Sequence, residues 1–193
     1  FTHNMFNGLI YNPAVAGSKD VISAFLLSRN QWVGFEGAPI TQTFSINAPV
    51  DKIRGGLGLS VVNDKLGYES QLAINGAYAY KLPLNDGAVL SLGLSIGLTQ
   101  KTIDGTSFNP ISQGDSHIPT GKINDIIFPD FGFGALYKAE KVYAAFSSTH
   151  LSEPESKSKS GSSGTETGLK VVRHYFFTTG YNYSISSSLD VRP

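Results

Sequence analysis

The stretch Ala88-Val89-Leu90-Ser91-Leu92-Gly93-Leu94-Ser95-Ile96-Gly97-Leu98-Thr99 decides the fold class. Leu90, Leu92, Leu94, Ile96 and Leu98 alternate with Ser91, Gly93, Ser95, Gly97 and Thr99. A helix would scatter those leucines around its circumference, whereas a strand places them on one face. The second face holds only small residues, and the segment carries no charge.

The same period of two recurs along the chain. Leu57, Leu59 and Val61 alternate with Gly58 and Ser60. Leu72, Ile74, Tyr78, Tyr80 and Leu82 share one face, opposite Ala73, Asn75, Ala77 and Ala79. Phe131, Phe133, Ala135 and Tyr137 alternate with Gly132 and Gly134. Tyr175, Phe177, Thr179, Tyr181 and Tyr183 alternate with Thr178, Gly180 and Asn182. Segments 21–35, 40–48 and 141–149 fit as further strands, about eight in all. Asn85-Asp86-Gly87 is a hairpin signal, and Ala139-Glu140-Lys141 reads as a tight turn. Two connections read as long loops, 103–125 and 150–168. Within the second, 152–167 has low complexity and no apolar residue, the composition of a flexible loop.

Both soluble sandwiches and membrane barrels alternate. A soluble sheet shows Lys, Glu and Arg to water on its outer face. Here only 16% of residues are charged, against about 25% in ordinary domains. The second face is Gly, Ser, Ala, Asn and Thr. That layout suits a transmembrane β-barrel, with aliphatic side chains toward lipid and small ones inward. A spanning strand needs about 9–11 residues, which 88–99 supplies. Phe35, Tyr68, Tyr80, Phe128, Tyr137, Tyr143 and Tyr175 near strand ends suit interfacial girdles. The predicted class is therefore an all-β antiparallel transmembrane barrel, a single domain over 1–193. Phe1 at the start points to a removed leader or a missing segment. Leu189–Pro193 reads as the beginning of another strand, so the barrel is expected to be incomplete at the C-terminal end.

Charge and composition exclude several functions. Fifteen Lys and Arg balance fifteen Asp and Glu, so the basic excess that drives nucleic-acid binding is missing. With no Cys, thiolate metal sites, disulfides and thiol catalysis are excluded. No His pair or Asp-rich loop has metal-ligand spacing, and the Gly-rich runs lack the Lys-Ser/Thr of a phosphate cradle. No metal or cofactor is expected. Of His3, His117, His150 and His174, His150 beside Ser147, Ser148 and Thr149 is the nearest candidate for a hydrolytic set. No acid–base constellation stands out around it, and a non-catalytic protein is expected.

Several segments are distinctive as motifs. They are Asn12-Pro13-Ala14-Val15-Ala16-Gly17, then Arg29-Asn30-Gln31-Trp32-Val33-Gly34-Phe35-Glu36-Gly37-Ala38-Pro39-Ile40-Thr41-Gln42-Thr43, then Gly56–Asp64. Tyr78–Leu82, Phe131–Gly134 and Arg173–Phe176 follow. In order and spacing they resemble the PorP/SprF family of Bacteroidetes, from about residue 5 to 193. The resemblance implies an outer-membrane barrel tied to type IX secretion and gliding motility. It implies a large secreted adhesin as partner, held at the cell surface by its C-terminal sorting domain, with other secretion components nearby and membrane lipid around. A transport channel is the alternative.

A mouth cluster is expected from Arg29, Asn30, Gln31, Trp32, Glu36, Arg54 and Asp64. It either contacts a partner or forms a structural rim, with Trp32 at the interface and Arg29 paired to Glu36. Arg29 is in phase with Val21, Ser23, Phe25 and Leu27. If those four face lipid, Arg29 and Gln31 belong at the rim, because a mid-bilayer Arg costs about 2–4 kcal/mol. Residues 1–19 form no clean strand and are expected to plug the lumen or cross its mouth.

Overall fold

The computed structural model describes residues 7–19, 21–84, 87–104, 122–160, 165–186 and 189–191. Eight strands form one antiparallel sheet: β1 (Ser23–Asn30), β2 (Ile40–Val50), β3 (Gly55–Leu66), β4 (Glu69–Pro83), β5 (Val89–Asp104), β6 (Lys122–Lys138), β7 (Val142–Thr149) and β10 (His174–Tyr181). Each is hydrogen-bonded to the next in that order, as an up-and-down sheet that curls into part of a barrel. Among the described residues β1 and β10 do not pair with each other. The connection after β7 carries the hairpin β8 (Glu155–Ser160) and β9 (Thr165–Lys170), and a second small hairpin joins β11 (Tyr183–Ser186) to β12 (Leu189–Val191).

The register fixes which side chains share a face. Leu59 pairs with Gly76 and Ile46, and Ile96 with Gly76 and Phe131. One row higher, Leu26, Phe44, Val61, Ile74 and Leu98 stand side by side. This convex face is bare: Leu94 is 63% and Ile96 64% exposed. The largest fully buried side chains, by contrast, are Thr43, Thr99, Ser45 and Ser147, and not one is aliphatic. A soluble sandwich buries its leucines and wets its serines. Here the order is inverted, as in a sheet whose solvent is lipid.

The apolar band has limits. Along β5 it runs from Leu90 to Leu98, about 27 Å at a strand's rise of ~3.4 Å per residue. At the usual barrel tilt this becomes about 20 Å, close to the ~25 Å band of membrane barrels. Above it lies a polar row of Ser28, Gln42, Asn63 and Gln100, broken by Leu72, and then Asn30, Lys65, Ser70 and Thr102 with Ile40. A charge inside the band should be costly. Ile96→Arg is expected to lose about 2–4 kcal/mol of folding stability, measured by urea titration in lipid vesicles, while Gln100→Arg at the polar border stays within about 1 kcal/mol.

The connections are asymmetric. At one end, 51–54, 84–88 and 139–141 are short. At the other are 31–39, the tight turn 67–68, the 105–121 connection and 150–173. The first predicted loop is trimmed, because β5 runs on to Asp104 and β6 starts at Lys122. Residues 105–121 lie outside the described residues. The second predicted loop is a loop only in topology. Its low-complexity stretch is a hairpin in which Glu155 pairs with Lys170 and Lys159 with Glu166 in backbone register.

The base of that hairpin is strapped to β6. Strand β7 pairs only with Phe133–Lys138 of β6, and among the described residues no strand ladder continues along the upper part of that edge. Pro129 is tolerated there because no ladder needs its missing N–H. Leu151 N–H donates to Phe131 O at 3.0 Å, and the Ser152 hydroxyl to Pro129 O at 3.0 Å. Arg173 closes the neck by donating to Leu151 O.

Candidate functional site

The concave face is filled by the chain's own N-terminal segment. Residues 8–10 and 13–15 form two short 3-10 turns that lie across the small faces of β3–β6. The fit depends on missing side chains. A Cβ on Gly93 would overlap the backbone of Ala14, one on Gly56 the backbone of Gly17, and one on Gly134 the side chain of Asn12. Leu9 enters over Gly58 and packs with Ala16, Ala77 and Ala79, the small apolar core of the molecule. The alternate small residues of the sequence are therefore the floor of a cradle.

Asn12 locks the segment. Its Oδ1 accepts from Ala14 N–H at 2.9 Å, which caps the second turn. Its Nδ2 donates to Ala135 O and Phe146 O, both at 3.3 Å, and so joins β6 to β7. Pro13 follows at the first position of the turn, where a missing N–H costs nothing. Gly17 ends the segment at φ +64°, a conformation that favours glycine. Further along, Ser45 donates to Asn7 Oδ1 at 2.9 Å and Ser147 to Tyr11 O at 2.7 Å. Tyr11 meets Phe176 edge-on at 5.2 Å. Burial pushes the Tyr11 phenol above its ordinary range.

Between this segment and strands β1, β2, β6, β7 and β10 remains a cavity of about 580 Å³. Asn7, Lys19, Asn47, Tyr143 and Thr178 are among its walls. Strands from both sides of the sheet line it, so the sheet curls far enough to bring them around one space.

Several charged side chains of the concave face, among them Arg29, Asp64 and Lys101, lie toward the long-connection end. Arg29, Thr41, Asp64, Gln71 and Lys101 occupy one row across β1–β5. Thr41 donates to Asp64 Oδ1 at 2.5 Å, and Lys101 is ion-paired to Glu69. The residues expected at the mouth fall in several places. Arg29 and Asp64 flank Thr41, while Asn30 points to the other face. Gln31, Trp32 and Glu36 lie in the β1–β2 connection. Among the described residues no ion pair joins Arg29 to Glu36.

Two expectations need correction. Arg54 is not at this mouth. It sits in the 51–54 turn at φ +49°, with Asp64 ten residues along β3, roughly 33 Å away at a strand's rise. Nor do Phe25 and Leu27 face lipid. They pair with Ser45 and Thr43 on the concave side, and Leu26 is the exposed residue. Arg29, in phase with them, is therefore held over the lumen side, with no membrane-facing charge to accommodate.

The β1–β2 connection is tightly built. Gln31 N–H donates to Pro39 O at 3.0 Å, and Phe35 N–H to Trp32 O at 3.1 Å. Gly67 N–H donates to Gly37 O at 2.9 Å, which ties the loop to the β3–β4 turn. Trp32 holds φ +51°, unfavourable for a bulky residue. Trp32 is 69% and Phe35 77% exposed, and Val33 between them is exposed too.

His150 has an acid that sequence reading missed. Its Nδ1 lies 3.0 Å from Asp130 Oδ2, a residue of β6 that is buried on the concave face. Nineteen intervening residues hide that pair, and only the β6–β7 register brings them together. The neighbouring serines do not complete a nucleophile: Ser147 spends its proton on Tyr11 O, and Ser148 belongs to the opposite face, beside Phe133 and Tyr175. Among the described residues no group of three His, Asp or Glu is arranged to hold a metal.

These features meet one family in full. The model of the type IX secretion system membrane protein PorP/SprF matches residues 1–193. No curated protein and no solved structure matches the chain. The convex apolar band, the curled antiparallel sheet and this match agree, and the chain belongs to the PorP/SprF family of type IX secretion system membrane proteins.

Proposed function

We propose that this protein is an outer-membrane barrel that docks a large secreted adhesin of the type IX system at the cell surface, without catalysis. The observation that supports this reading best is the occupied concave face. A transport channel needs an open polar path along that face. Here residues 7–17 lie where the path would run, and the cavity beside them is what remains. Residues 7–19 act as a plug in a single barrel domain spanning 1–193, and residues 1–6 of the expected plug lie outside the described residues. The specific chemistry is displayed at the long-connection end instead, as loops on a rigid scaffold. It comprises the Arg29–Asp64 row, Asn30, Gln31, Glu36, the Trp32–Phe35 tip, and the connections 103–125 and 150–168. The adhesin's C-terminal sorting domain is the partner that meets this end, alongside other components of the secretion machinery.

The test is capture of the tagged, full-length protein from detergent-solubilised outer membranes, followed by mass spectrometry. The expected result is a very large secreted protein with a C-terminal sorting domain, recovered in near-stoichiometric amount. Recovery of the barrel alone, combined with single-channel conductance in planar bilayers, would replace docking with transport.

A further inference from the structure

Gly76 breaks the pattern of its own strand. The convex face of β4 reads Leu72, Ile74, Gly76, Tyr78, Tyr80, Leu82, with one side chain missing in the middle of the apolar band. The other described glycines of the main sheet have a packing reason. A Cβ on Gly55, Gly56, Gly58, Gly93, Gly97, Gly132, Gly134 or Gly180 would collide with backbone or a neighbouring side chain. At Gly76 the nearest atom to an added Cβ is Ile96 O at 3.8 Å, an ordinary contact. Its φ lies outside the left-handed range, so the backbone does not require glycine either. Glycine in a strand weakens it and marks a bend or the close approach of something else. Gly76 pairs regularly on both sides, so close approach is the reading that remains.

The gap is the floor of a trough of about 850 Å³. Leu57, Leu59, Tyr78, Leu94, Ile96 and Phe131 wall it. Its size is within the range of ligand pockets, about 300–1,000 Å³. It lies between the Leu57–Leu94 row and the Ile74–Leu98 row, well inside the band that this membrane protein turns to lipid. Among the convex-row side chains that line it, Tyr78 alone carries a polar atom, and its hydroxyl donates to Ile53 O at 2.9 Å, so the occupant is apolar along its length.

We propose that this trough is a binding site for one acyl chain of a membrane phospholipid, seated over Gly76. It differs from the surrounding lipid contact in having side walls and a floor. A chain lying on bare strand loses contact on three sides, whereas a chain in the trough is flanked by aliphatic and aromatic side chains. Continuity with the lipid-facing band selects a bilayer lipid as the occupant.

The full-length protein, reconstituted into phosphatidylethanolamine/phosphatidylglycerol vesicles and released into mild detergent, tests this by native mass spectrometry. The expected result is one retained phospholipid per barrel, with the retained fraction falling about tenfold in Gly76→Leu, whose side chain fills the floor. Gly76→Ala should fall less. The heat-modifiable gel shift verifies that each variant is folded. A photo-crosslinking residue at Ile96 gives the second readout and should carry a phospholipid mass adduct. Undiminished lipid retention in folded Gly76→Leu overturns the proposal, as does an Ile96 crosslink to protein in place of lipid. Neither readout depends on the adhesin partner.

Discussion

Gly93→Val is expected to drive residues 7–17 out of the concave face and leave them open to protease. In the native protein Gly93 lies against the backbone of Ala14, and there is no flexible side chain to move aside. A valine there forces backbone displacement, and such overpacking costs about 1–3 kcal/mol, occasionally more. This site belongs at the upper end, because the clash is with main chain and the segment's apolar content is small. Leu9, Pro13, Ala14 and Ala16 are its buried apolar residues, mostly small, so little hydrophobic stabilisation is available to absorb the cost. The β4–β5 and β5–β6 ladders around Gly93 are long and regular, so the sheet should survive the loss. Chymotrypsin on the folded, vesicle-embedded protein measures the outcome at Leu9 and Tyr11. Wild type should resist, and Gly93→Val should be cut at least about tenfold faster. Equal resistance of the two, with the variant folded, would show that the segment is not seated by this cradle. Conductance of the same variant reports whether the segment also blocks a path.

How much of this could be read from the residues depends on where the deciding interaction lies. The phase of β3 to β6 and β10 was legible, because each has one face dominated by aliphatic or aromatic residues and one richer in small ones, with Phe128, Leu136 and Phe176 the large exceptions on the concave side. Strand β1 was not. It is apolar on both faces, with Ala24 and Leu26 on one and Phe25 and Leu27 on the other. Period two alone cannot choose between them when the N-terminal segment supplies apolar neighbours on the concave side. The hairpin β8–β9 was illegible for a different reason. Its stretch has no apolar pattern, and its strand pairing shows up only in the backbone register. The Asn12–Gly17 motif was visible as a resemblance, but its role depends on Cβ clearances at Gly56, Gly93 and Gly134, far along the chain. The Asp130–His150 pair was hidden likewise, since sequence separation says nothing of cross-strand register. Within the mouth cluster, Arg29 and Asp64 could be grouped only through Thr41 between them. Arg54 was misplaced because a strand's two ends look equally terminal in one dimension.

Under the proposed docking role, Trp32→Gly combined with Phe35→Ala is expected to reduce capture of the proposed adhesin partner about thirtyfold or more while leaving the barrel at least as stable. The position of the tip is the first reason. Beyond the apolar band, the convex side is predominantly polar through the rows of Gln42 and Lys65, and the β1–β2 connection begins only after them. The Gly37–Gly67 tie keeps the loop level with the β3–β4 turn, so it does not fold back to the lipid band. Trp32, Val33 and Phe35 therefore face water unless a partner covers them, and such patches mark interaction sites. Strain is the second reason. A bulky residue at φ +51° costs about 1–2 kcal/mol that glycine would avoid. A residue chosen only for folding would not be tryptophan there, and strain kept at an exposed position points to function. The double variant separates these contributions. Stability should rise or stay level, because glycine relieves the strain and Phe35 is exposed in wild type. Capture should collapse, because aromatic anchors dominate interface energies, with about 2 kcal/mol or more each at hot spots. An interfacial anchor for the barrel itself would behave otherwise: membrane insertion would suffer and capture per folded barrel would not change. That second pattern would move Trp32 from the partner contact to the membrane rim and leave the Arg29–Asp64 row and the 150–168 connection to carry the docking.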